Sequence, residues 1–136
     1  MRAAIVAVML LLAAAPAGAQ GKLWERSKQL TCSIAMMHAC TEKACESKEA
    51  PVQFTIDLAG MRLCLMDAGQ CADPEPIGTV KTLDRLLVVY SGQDKPDPSV
   101  IRIWDDGRFT ALGLRELTGS DAGEGGFVMV GKCTAP

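Results

Sequence analysis

The chain has 136 residues and is 49% apolar, enough for one domain with a core of its own. Its formal net charge of −2 excludes a cationic footprint for nucleic-acid backbone or anionic lipid. An aromatic share of 4% is thin for a base- or sugar-stacking platform.

In chain order, Arg2 is followed by an apolar run from Ala3 to Ala15. Pro16 breaks the run and Ala17-Gly18-Ala19 supplies a small-x-small cleavage site. Charged start, short apolar centre and small-residue end predict a cleavable secretory signal over 1–19. A spanning helix needs about 20 apolar residues, so a membrane anchor is the weaker reading. The working protein is then a single domain over 20–136, exported to the periplasm or the extracellular space. Loss of Arg2 takes the net charge from −2 to −3.

All six cysteines (Cys32, Cys40, Cys45, Cys64, Cys71 and Cys133) fall in that domain. An even count in a small exported chain reads as a disulfide framework. Cys40 and Cys45 flank the polar Thr41-Glu42-Lys43 turn, and Cys71 follows the Ala68-Gly69-Gln70 turn after Cys64. Two local bridges are therefore expected. The remaining pair, Cys32 and Cys133, meets if the first and last strands lie side by side.

The segment before Cys45 reads two ways. As a strand, Leu30, Cys32, Ile34, Met36, His38 and Cys40 share a face. As a helix, Leu23, Ser27, Leu30, Ile34 and Met37 share a stripe. Good helix formers over 24–29 favour a short helical or irregular start, then a strand. Val52, Phe54, Ile56 and Leu58 alternate with polar residues, which predicts a half-buried strand. Ala59-Gly60 turns the chain into a second strand over 61–66, with Leu63 and Leu65 facing in. The run 86–91 reads as a buried strand, with 78–82 as its hairpin partner. Pro96 and Pro98 mark a loop over 93–99. Asp105-Asp106-Gly107-Arg108 between the apolar runs 100–104 and 109–114 signals a hairpin. Gly119–Gly126 reads as a glycine-rich loop and 127–133 as the last strand. The sum is an all-β, antiparallel meander of seven or eight strands, forming a barrel or sandwich.

The chemistry-bearing motifs are few. No Cys-x-x-Cys is present, so neither a thioredoxin-like site nor haem attachment is indicated. Met36-Met37-His38-Ala39-Cys40 gathers soft donors of the kind that suit Cu(I). Met36 and His38 are its candidate metal ligands, and core packing of the methionines is the competing reading. His38 is the sole imidazole, without a zinc partner set. Asp105-Asp106-Gly107 lacks a calcium loop's length. There is no Gly-x-Ser-x-Gly elbow, and the glycine-rich segment has no Walker lysine. No cofactor is implied. The sequence thus favours a non-enzymatic module that binds a protein partner or a small apolar ligand, with a soft-metal binder as the alternative. With Ile101 and Ile103 facing in, Trp104 faces out beside the hairpin turn and is the candidate partner anchor.

Overall fold

A computed structural model of the chain describes residues 21–41, 43–92, 98–117 and 123–136. The signal over 1–19 and most of the loop expected over 93–99 lie outside the described residues, as does 118–122. A one-turn helix α1 (Leu23–Arg26) leads into nine strands: β1 (Gln29–Thr41), β2 (Cys45–Glu49), β3 (Gln53–Asp57), β4 (Arg62–Asp67), β5 (Gln70–Thr82), β6 (Leu86–Ser91), β7 (Ser99–Trp104), β8 (Arg108–Leu117) and β9 (Gly123–Thr134). All pairings are antiparallel. Strands β3 to β9 follow one another around the sheet, and β1 joins β3 to β9. The result is a closed eight-stranded barrel plus the extra strand β2. Closure removes the edges that an open meander would expose.

Strand β1 is the hub. One side pairs with β9 along nearly its whole length, from Thr31–Thr134 to Thr41–Gly125. The other side is shared by β3 over 29–33 and β2 over 36–40. A bulge between Ile34 and Met36 breaks its alternation. Leu30, Cys32 and Ile34 point into the core, but beyond the bulge it is Met37 that packs against the core. Met36, His38 and Cys40 therefore do not continue the buried face as the plain strand reading expects. One extra residue inverts every later side chain.

The core is one contiguous cluster. Leu30, Ile56, Leu87, Val89, Ile103 and Phe109 are fully buried, with the Cys32–Cys133 disulfide among them. Phe54 and Phe109 meet edge to face at 5.2 Å, a geometry the ring quadrupoles favour. Leu23 and Trp24 of α1 are buried, and the Leu23 side chain neighbours Gly107 of the β7–β8 turn. The other disulfides are local: Cys40–Cys45 ties β1 to β2, and Cys64–Cys71 ties β4 to β5.

Several local expectations need correction. Val52 lies in the β2–β3 link and is exposed. Its carbonyl instead accepts from the Ile34 N–H at 3.0 Å, beside the bulge. Leu65 pairs with Phe54 and so shares the inner face, yet it lies beyond the packed cluster and is 46% exposed. The 58–61 turn takes its positive φ at Met61 rather than Gly60. Asp57 Oδ1 accepts from the N–H groups of Ala59 and Gly60 at 3.0 and 2.8 Å and holds that turn. Strand β5 is longer than the 78–82 expected and runs through Pro74 and Pro76. Over 70–76 it pairs only with β4, and over 77–82 only with β6. The prolines thus sit where one side of the strand carries no ladder, which is where proline is tolerated. Finally, β9 begins at Gly123, so the last four residues of the expected 119–126 loop are strand.

Candidate functional site

The β7–β8 hairpin is built by its turn. Gly107 takes φ 87° and donates to the Trp104 carbonyl at 2.9 Å. A Cβ there would collide with the Cys133 carbonyl, so glycine is required on two counts. The two turn acids are each engaged by an arginine. Arg85 holds Asp105 in a bidentate pair at 2.7 and 3.2 Å. Asp106 accepts from the Arg108 backbone N–H at 3.0 Å and from its Nε at 2.7 Å. The Arg85 hydrogen bonds hold the Asp105 carboxyl below the ordinary aspartate range. The Arg108 N–H, then its guanidinium, do the same for Asp106.

A pH dependence follows. Both folded-state pKa values are depressed, so the stabilisation is complete above the unfolded aspartate value of about 3.9 and is lost as pH falls through the lower folded values. In an NMR titration the Gly107 and Arg108 amide signals should move with a midpoint below the ordinary aspartate value of about 3.9. Movement centred above that point would contradict the assignment.

This ordered turn positions Trp104. Cross-strand partners share a face, so the register defines three outward rows. Arg108, Lys132 and Ser33 form the first. Thr110, Val130 and Met36 form the second, with Ala35 at the bulge. Leu112, Val128 and His38 form the third. Trp104 and part of the first two rows border an open groove of about 740 Å³. It is lined by Ser33, Ala35, Trp104, Arg108, Thr110, Val130 and Lys132, with Ile34, Phe109 and Gly131 completing the lining. Trp104 is half-buried, as expected of an indole standing at a groove wall. The bulge that inverts β1 lies in this groove, a placement typical of functional surfaces.

The structure does not bring Met36 or His38 into the groove lining. They share the outer face of β1, and the sulfur of Cys40 on that face is bonded to Cys45. The bridged sulfur is no thiolate, which leaves one thioether and one imidazole on that face. Among the described residues no three His, Cys, Asp or Glu side chains gather as a metal site. His38 Nδ1 instead meets Ser47 Oγ at 2.6 Å across β1 and β2. Ser47 was not legible as a partner, because nothing in the sequence between Cys45 and Glu49 announces a strand. The pair lies outside the groove lining. It fastens the extra strand to the barrel.

Among the described residues, no helix is long and apolar enough to cross a membrane. No family model matches the chain, and no curated protein or solved structure matches it significantly.

Proposed function

We propose that this chain is an exported, non-enzymatic binding module that docks a protein partner in the outer groove walled by Trp104. Three disulfides suit an oxidising compartment, and the Ala17-Gly18-Ala19 site gives a mature chain starting at Gln20. The observation that carries the docking reading is the groove itself. A half-buried indole stands beside apolar Ala35 and Val130 and cationic Arg108 and Lys132, on a sheet clamped by a buried disulfide. Rigid aromatic anchors flanked by arginine are the usual centres of protein interfaces. The next outward row, Leu112 and Val128, adds apolar side chains beyond the groove lining, with Leu112 exposed and Val128 half-buried. A small apolar ligand inside the barrel is the weaker choice, because the core cluster already occupies that interior.

The test places a photocrosslinking residue at Thr110 and exposes the protein in its native compartment. One discrete protein adduct is expected. Trp104→Ala should abolish it, since loss of such an anchor weakens binding about 30-fold or more, while the denaturation midpoint stays close to wild type. No adduct, or one indifferent to Trp104, would overturn the proposal.

A further inference from the structure

Strand β2 has a ladder on one side only. It pairs with β1 from Met36–Glu49 to Cys40–Cys45, and its other edge has no partner among the described residues. All five of its residues are exposed. The direction of its open backbone groups follows from the hairpin. The Thr41 N–H donates to the Ala44 carbonyl at 2.8 Å. Antiparallel ladders alternate, so 39/46 and 37/48 are the hydrogen-bonded pairs, and 40/45, 38/47 and 36/49 are not. The Cys40–Cys45 disulfide and the 2.6 Å His38–Ser47 contact both fall at the second kind, where side chains approach most closely. The N–H and C=O groups of Cys45, Ser47 and Glu49 therefore point to the open edge.

We propose that this edge pairs with the same edge of a second copy, antiparallel and two-fold symmetric about Ser47. In that register Ser47 faces Ser47, and Cys45 faces Glu49, as hydrogen-bonded pairs. Glu46 of each copy then stands opposite Lys48 of the other at the closely spaced, non-hydrogen-bonded positions. Neither Glu46 nor Lys48 has an ion-pair partner among the described residues. Sliding the copies by two residues either way sets Glu46 against Glu46 or Lys48 against Lys48, which is repulsive. Charges on an edge strand ordinarily deter pairing. Here their order favours the Ser47-centred register over its neighbours two residues to either side. The disulfide and the His38–Ser47 bond hold the strand in shape before the second copy arrives, and the interface is isologous, so it closes at two.

Sedimentation equilibrium of the purified oxidised protein tests this at low and at high salt. A reversible dimer is expected, weakened by salt. Lys48→Glu puts like charges at both cross-strand positions and should raise the dimer Kd about tenfold or more. The swap Glu46→Lys with Lys48→Glu restores both pairs and should return the Kd to near wild type. Ser47→Pro removes an N–H that faces the open edge, leaves the β1 ladder intact and should abolish the dimer. A wild-type chain that stays monomeric at every concentration would overturn the proposal, including the case in which the edge serves a strand of another protein. So would a dimer indifferent to Lys48→Glu and Ser47→Pro, or a charge swap that fails to restore it.

Discussion

Replacing Cys133 by Ser is expected to cost about 4.7 kcal/mol, the loop-closure value for a bridge of about 100 residues. The Cys32–Cys133 link has a sequence separation of 101, against 5 and 7 for the other two. The same chain-entropy relation gives the short bridges about 2 kcal/mol each. Both sulfurs of the long bridge lie in the core, where Cys32 and Cys133 are 0% and 1% exposed. Urea denaturation of Cys133→Ser, Cys40→Ser and Cys64→Ser should therefore rank Cys133→Ser lowest by a wide margin. Cys32→Ser should match it, and the double variant should lose little more, since either change breaks one link. A Cys133→Ser protein as stable as the Cys40→Ser protein would show that the β1–β9 seam holds without its bridge.

Phe109→Ala should cost about 4 kcal/mol, within the usual range for emptying a buried aromatic site. Phe109 is 2% exposed and stacks edge to face on Phe54. It also lies over Gly131, where a Cβ would strike both the Phe109 ring and the Ser33 carbonyl. Gly131 thus brings β1 and β9 close together while Phe109 fills the space the glycine leaves. Removing the ring opens a void whose floor has no side chain to relax into it, so the loss should be large for its class. Phe109→Leu should recover more than half of the stability in the same denaturation series. A loss for Phe109→Ala below about 1.5 kcal/mol would mean that the barrel collapses onto the cavity.

The alternation at 54–58 and the Asp-Gly turn were legible because each is a local signal with a local cause. The seam was legible indirectly. Only adjacency of the first and last strands lets Cys32 reach Cys133, and in the structure those residues are direct cross-strand partners. The β1 bulge was not legible. Ile34-Ala35-Met36 carries no glycine or proline, and the inversion of Met36, His38 and Cys40 comes from register with β9. Strand β2 was hidden for a related reason: Cys-Glu-Ser-Lys-Glu buries nothing and so shows no apolar period. In the candidate site, Trp104 was visible as an outward residue beside a turn. Arg108, Thr110, Val130 and Lys132 were not, because the groove forms only where β1 and β9, far apart in sequence, close against the β7–β8 hairpin.

The position of β1 has a consequence for the order of folding. Its longest partner, β9, lies about 100 residues further along the sequence, so this seam raises the contact order and belongs with the slower-folding pairings. The β3–β4 and β7–β8 hairpins can form as soon as their turns exist, and the short Cys40–Cys45 and Cys64–Cys71 loops close at little entropic cost. Cys32 has no native partner until β9 is complete. Throughout that interval it is the thiol most open to mispairing, and a disulfide isomerase acting on this chain would find its main task at Cys32.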